Sequence, residues 1–239
     1  IKVYKVRPEE ILVITFTKYA AWEMKNRTRS ICGPSSYAVT FGTFHGIYYG
    51  ILKWAYRLNQ SNLLSDEEKY RILREILPGI DWDQEPEADE EKDYLQELAI
   101  EIGNVKNNCM DIEEYEPVKY TTEKFRNLYR TYEETKKKYR KIDFEDMLIQ
   151  CRDLFMKRPD ILKKWQEKFQ YILVDEFQDV NQAQYDVVRM LAAPQDNLFV
   201  VGDDDQSVYG FRGAKPGIMM EFMKDYPKAR QILLDVNYR

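Results

Sequence analysis

Tyr171-Ile172-Leu173-Val174-Asp175-Glu176-Phe177-Gln178-Asp179 is the stretch on which the fold turns. Four consecutive apolar residues with no polar alternation suit a strand covered on both faces, the kind found in parallel sheets with helices packed around them. Two carboxylates follow at the strand's carboxyl end, the edge where open parallel sheets bind their ligands. At that edge Asp175 can hold Mg²⁺, mostly through water, because the ion keeps much of its hydration shell. Glu176 can position or deprotonate an attacking water. Taken alone, the same pattern also describes a strand that ends in ordinary solvated acids.

Working outward, further short apolar runs read as strands: Ile11 to Phe16, Ala38 to Phe41, Leu198 to Val201 and Ile232 to Leu234. Helical patterns lie between most of them, the signature of β-α-β units. The middle differs. From Leu58 to Lys141 there is no strand signal, and amphipathic helices are predicted over Asp66–Leu77, Glu91–Asn107 and Thr122–Tyr139, punctuated by Pro78, Pro86 and Pro117. Ser65, with Glu68 three residues later, has the pattern of a helix start. The chain therefore divides into residues 1–57, the first part of an α/β domain; 58–141, a helical insertion; and 142–239, the second part.

A second acidic strand end follows the run Leu198 to Val201: Gly202-Asp203-Asp204-Asp205-Gln206-Ser207-Val208-Tyr209-Gly210-Phe211-Arg212-Gly213-Ala214. Three adjacent acids repel one another, so stability alone does not account for them. Gln206 offers a donor and an acceptor, suited to sensing a phosphate oxygen or a water. Tyr209, Phe211 and Arg212 offer flat faces and a cation that can stack on bases without reading sequence. The alternative is a turn with its aromatics tucked into the core; Arg212 and the glycines Gly210 and Gly213 argue against full burial.

Composition narrows the choices. The 239 residues carry 41 acidic and 36 basic side chains, a net charge of −5, with 44% hydrophobic and 32% charged residues. That supports a packed core and excludes a generally basic duplex-coating protein, so any nucleic-acid site is a local patch. Asp81 to Glu91 is strongly acidic. Lys136, Lys137, Lys138, Arg140 and Lys141 form a basic cluster that either touches phosphates or makes a solvated helix face. Cys32, Cys109 and Cys151 lie far apart and His45 is the single histidine, which argues against zinc and for free thiols in a reducing compartment. The expected setting is cytoplasmic, and no apolar run is long enough to span a membrane.

These stretches together resemble the UvrD/Rep/PcrA-type superfamily 1 DNA helicases. Asp175 to Asp179 resembles the DExQD form of their Walker B motif, Gly202 to Ala214 their motif III, and Asn237-Tyr238-Arg239 their motif IV. Ile14 to Met24 resembles motif Ia, Thr43-Phe44-His45-Gly46 resembles motif Ib, and Asp143 to Leu148 is similar to a family stretch before motif II. The resemblance implies a RecA-like P-loop NTPase: an α/β fold with a parallel sheet flanked by helices and an inserted all-helical subdomain. It implies an ATP-dependent DNA helicase or translocase using ATP and Mg²⁺, acting on single-stranded DNA and single-strand/duplex junctions in repair or replication. Asp175 then corresponds to the Mg²⁺-associated acid, Glu176 to the catalytic base, Gln206 to the residue coupling the γ-phosphate to DNA, Arg239 to an arginine finger and Tyr238 to the adenine-stacking ring. Thr15, Phe16, Thr17, Thr43, His45, Tyr209, Phe211 and Arg212 correspond to the single-stranded DNA track. A core role for His45 stays open.

The chain also departs from the pattern. It contains no G-x-x-x-x-G-K-[ST] phosphate loop. With Ile1 as its first residue it reads as an excised piece, the loop lying upstream and a second motor domain beyond Arg239. The polypeptide alone is thus expected neither to hydrolyse ATP nor to unwind DNA. Lys18-Tyr19 stands in place of Asn-Lys in motif Ia, Gly46 in place of Ser in motif Ib, Phe211 in place of Trp, and Phe177 in place of Tyr. Two other readings stand beside the helicase: a non-hydrolysing homologue that only binds single-stranded DNA, and the motor part of a helicase–nuclease subunit. Glu176, Gln206 and Arg239 favour an ATPase, since a pure binder needs no water-positioning acid.

Overall fold

The computed structural model describes residues 1–80, 90–203, 206 and 215–234. The acidic stretch at 81–89 and the candidate residues Asp204, Asp205, Tyr209, Phe211, Arg212, Tyr238 and Arg239 lie outside the described residues.

Four strands form one all-parallel sheet: β1 (Ile11–Thr15), β2 (Thr40–Thr43), β3 (Tyr171–Val174) and β4 (Leu198–Val200), in the order β2-β1-β3-β4. The α/β architecture with a helix-covered parallel sheet is therefore as expected. The predicted strand at Ile232–Leu234 is a correction: its residues are not in a strand and are 68%, 81% and 82% exposed. An apolar run supplies strand propensity, but a ladder also needs a neighbour, and among the described residues no strand pairs with this run.

Helices begin and end where local chemistry directs. Thr17 caps α1 (Lys18–Cys32) by accepting from the Ala20 N–H at 3.0 Å, and Gly33, at φ +67°, takes the left-handed turn that ends it. Thr43 caps α2 (Phe44–Tyr56) in the same way through the Gly46 N–H at 3.1 Å. In α3 (Asp66–Ile76) the predicted reciprocal cap is present: Glu68 N–H donates to Ser65 Oγ, and Ser65 N–H donates to the Glu68 carboxylate. Then come α4 (Glu91–Asn107), α5 (Thr122–Lys138), α6 (Asp146–Lys157), α7 (Pro159–Lys168), α8 (Gln182–Ala192) and α9 (Pro216–Asp225).

Two hydrophobic clusters result. One joins Leu12, Ile14, Ile172 and Val174 of the sheet to residues of α2, α6 and α8, among them Tyr48, Leu148 and Val188. The other is made by α3, α4 and α5 around Leu73, Leu98, Phe125 and Leu128. Between them lies a buried ionic knot. Lys106 Nζ is 2.7 Å from both Asp143 Oδ2 and Asp146 Oδ1, and Lys136 Nζ is 2.7 Å from Asp143 Oδ2 and 2.5 Å from Asp146 Oδ2. The Tyr132 hydroxyl donates to Asp143 at 3.1 Å, and Lys69 pairs with Glu145 at 3.0 Å. Burial would raise the Asp143 pKa, but Lys106, Lys136 and Lys69 outweigh it and hold the carboxyl well below the usual range.

This corrects the reading of the basic cluster for two of its members. Lys136 is 1% exposed, and Lys141 is paired with Glu68 at 2.8 Å. Helical spacing splits the charge run: Lys136 falls on the buried stripe Phe125-Leu128-Tyr132-Lys136, while Lys137 and Lys138 face solvent.

Candidate nucleotide and DNA site at the carboxyl edge of the sheet

Topology places the crevice. From β1 the chain steps outward to β2, then returns after the helical region to β3 on the other side of β1. Connections thus leave in opposite directions at the β1–β3 boundary, and ligands of such sheets bind outside the carboxyl ends there. Thr15, Phe16 and Thr17 end one wall; Asp175 and Glu176 end the other.

Asp175 is half-buried, and its N–H donates to Ile14 O at 3.0 Å. Its pKa is raised, first by burial and then by the neighbouring Glu176 charge. Glu176 is exposed and held in the left-handed region at φ 53°, ψ 44°, a conformation costing a non-glycine residue about 1 kcal/mol. What holds it there is Phe177, whose ring is fully buried, edge-on to Tyr185 and Phe222, and whose N–H donates to Val201 O at 2.8 Å. Backbone strain of this kind survives where the surroundings over-determine it, typically at functional sites.

Gln178, 1% exposed, joins the two acidic strand ends. Its Nε2 donates to Glu176 Oε2 at 2.8 Å, and its Oε1 accepts the Asp203 N–H at 3.0 Å. Asp203 Oδ2 in turn accepts from Gln206 Nε2 at 2.6 Å. A continuous relay therefore runs Glu176–Gln178–Asp203–Gln206. Gly202 makes room for it: a Cβ there would lie 2.6 Å from Gln178 Oε1 and 3.1 Å from Met219 Sδ. In the sequence Gln178 and Gly202 are motif positions without an assigned role. The spacing of Gln178 two residues after Glu176 was the available signal.

The candidate DNA-facing residues gather beside this crevice. Phe16 is half-buried, edge-on to Phe44 at 5.2 Å. Thr17 and Thr43 cap α1 and α2, and His45 stacks on Phe144 with ring centroids 3.6 Å apart. Phe144 is 54% exposed, so this stack presents a ring to solvent rather than joining the core; Phe144 is a residue that sequence reasoning did not single out. Thr15 is a correction. It is 1% exposed, and its hydroxyl is buried with no hydrogen-bond partner among the described residues. Strand β1 runs between β2 and β3, and the Thr15 side chain at its end lies beneath the edge and not on it.

The profile of the family described as UvrD/REP helicase N-terminal domain matches residues 1–227. The chain belongs to this family. Similar proteins include a putative ATP-dependent DNA helicase, YjcD, of Bacillus subtilis (strain 168), 40% identical, with 98% of this chain and 31% of that protein aligned. ATP-dependent DNA helicase PcrA of the same organism is 38% identical over 98% of this chain and 32% of its own length. DNA helicase II of Escherichia coli (strain K12) is 34% identical over 97% and 32%. The chain thus spans about a third of the length of the curated relatives it matches.

Among the described residues of this UvrD/REP helicase domain, two groups of acids could be considered for a cation. Glu133, Asp143 and Asp146 bring carboxylate oxygens within 4.8 Å of one another, but the Lys106 and Lys136 ammoniums already occupy the space between them. Asp175 and Glu176 offer hard oxygen donors, and neither forms an ion pair among the described residues; the relay amide of Gln178 is the side-chain donor to Glu176. Only the second group suits an incoming divalent cation. Among the described residues no helix is long and apolar enough to cross a membrane.

Proposed function

We propose that the protein is part of the first motor domain of an ATP-dependent DNA helicase or translocase. It would act on single-stranded DNA and single-strand/duplex junctions, in a cytoplasmic repair or replication setting. Residues 1–57 and 142–239 would form the motor half, with 58–141 as its helical insertion. The observation that carries the reading is the Glu176–Gln178–Asp203–Gln206 relay, which ties a water-positioning acid to a second strand end at the same edge as Phe16, Thr17, Thr43 and His45.

In this reading Glu176 takes the proton of the attacking water. Its strained backbone and the Gln178 N–H fix where that carboxylate points. Asp175 would hold Mg²⁺ through water; the ion, when bound, neutralises charge on the phosphate oxygens of ATP. Gln206 would report the state of the γ-phosphate through Asp203 and Gln178 to the strand ends that carry the DNA-facing residues. Arg239, Tyr238, Tyr209, Phe211 and Arg212 keep the roles that the resemblance implies. Because the 239 residues contain no G-x-x-x-x-G-K-[ST] run, turnover is assigned to a longer polypeptide that includes such a loop and a second motor domain. The pre-positioned Glu176 favours this over a homologue that only binds DNA.

The test compares ATP hydrolysis by this chain with that of a polypeptide that also carries a phosphate loop and a second motor domain. The chain alone should show no DNA-stimulated turnover. The extended protein should, and Glu176→Gln should lower its kcat about a hundredfold or more while sparing DNA binding. Turnover by the chain alone, or an undiminished kcat in the variant, would overturn the proposal.

A further inference from the structure

Between α1 and the β2–α2 turn, lined in part by the motif Ia- and Ib-like stretches, lies a cleft of about 400 Å³ bordered by Lys18, Trp22 and Lys25 on one side and Phe41, Thr43 and Gly46 on the other. That volume is in the range of small-ligand sites, enough for one nucleotide. Lys18, Trp22 and Lys25 are spaced i, i+4 and i+7, so a single helix face presents a cation, an indole and a second cation. Neither lysine forms an ion pair among the described residues, and no carboxylate borders the cleft. Trp22 is 59% exposed and lies against Tyr19, itself 70% exposed, with ring centroids 5.9 Å apart. Two large rings left together in water forgo the stabilisation that burial would bring, and such patches mark binding faces.

We propose that this face of α1 is a base-stacking subsite for single-stranded DNA, with a base on the Trp22 indole and flanking phosphates on Lys18 and Lys25. Charge selects the occupant: two ammoniums without an ion-pair partner among the described residues, set around an aromatic plane, match a polyanion with flat bases and not an acidic helix or an apolar partner face. Continuity supports it as well, because Thr43 both borders the cleft and caps the helix that carries His45. The subsite extends the DNA-facing edge by residues in which this chain departs from the family pattern, Lys18-Tyr19 standing where that pattern has Asn-Lys. It rests on the reading of that edge as a DNA track.

The experiment measures binding of labelled oligothymidylate to the 239-residue chain at low salt, with circular dichroism confirming that each variant is folded. Trp22→Ala should weaken binding about tenfold, whereas Trp22→Phe should retain most of it. Lys18→Ala and Lys25→Ala should each reduce the slope of log affinity against log salt by about 0.7. If the wild-type chain binds and Trp22→Ala binds equally well, the subsite is overturned and the DNA edge stands. If the wild-type chain binds no oligothymidylate, the edge reading fails and takes the subsite with it.

Discussion

The chain holds two acidic pairs of the same chemistry in opposite circumstances. Asp143 and Asp146, at the root of the helical region, are 1% and 6% exposed and face two buried ammoniums at 2.5–2.7 Å. Among the described residues, Asp175 and Glu176, at the sheet edge, form no ion pair, and Glu176 accepts from the Gln178 amide. The first pair is compensated, and its office is to lock α4 and α5 onto α6. The second is left with an unmet demand for positive charge, at a place where the backbone is strained and solvent has access. Buried charge tolerates no such omission, so the contrast separates acids that hold the fold from acids that the proposed function assigns to a ligand.

The largest effect should come from breaking the compensated pair. Lys136→Ala leaves Asp143 and Asp146 short of an ammonium in a dry site, and should cost about 3–5 kcal/mol in urea unfolding. A loss below about 1 kcal/mol, the value of an exposed pair, would mean the knot is solvated. Next is Gly202→Ala. Its methyl would collide with the Gln178 amide oxygen and drive the relay apart, at a cost of about 1–3 kcal/mol, and hydrogen exchange at the Asp203 N–H should quicken. Unchanged exchange there would show that Gln178 does not bridge the two strand ends.

The smallest effect sharpens the comparison through pH. Asp143, with its folded-state pKa lowered, contributes stability above the usual carboxylate range that is lost as pH falls through the lowered value. Asp175 has the opposite sign. Its folded-state pKa lies above the ordinary 3.8, so the native state binds the proton more tightly and stability declines as pH rises through the folded value. Asp175→Asn should therefore be slightly more stable than wild type at neutral pH. That advantage should shrink on acidification and vanish below the ordinary aspartate value. An advantage surviving there would contradict the assignment.

Much of the scaffold was legible along the chain. The runs at Ile11, Tyr171 and Leu198 became strands with ends within one residue of expectation, and the helices of the middle region did likewise, down to the Ser65–Glu68 cap. The run at Ala38 became a strand two residues further on. Strand propensity, helical periodicity and capping act over a few neighbouring residues, so they can be read from a short window. The acidic ends at Asp175 and Asp203 were legible too, because the carboxyl edge of a parallel sheet is where ligands go whatever the rest of the chain does.

Compensation and access were not legible, because they depend on residues distant in sequence. Lys136 belonged to a charge run until the helix turned it inward onto Asp143 and Asp146. Ile232–Leu234 had the composition of a strand and no partner. Thr15 had the motif position of a contact residue and was sealed beneath the edge by strands on both sides. Gln178 became a bridge only when folding brought Asp203 beside Glu176, and Trp22 became a candidate platform only when α1 came to rest against the β2–α2 turn. Local pattern names the elements and their chemistry; the packing of distant segments settles which charges are neutralised, which are left open, and which faces meet solvent.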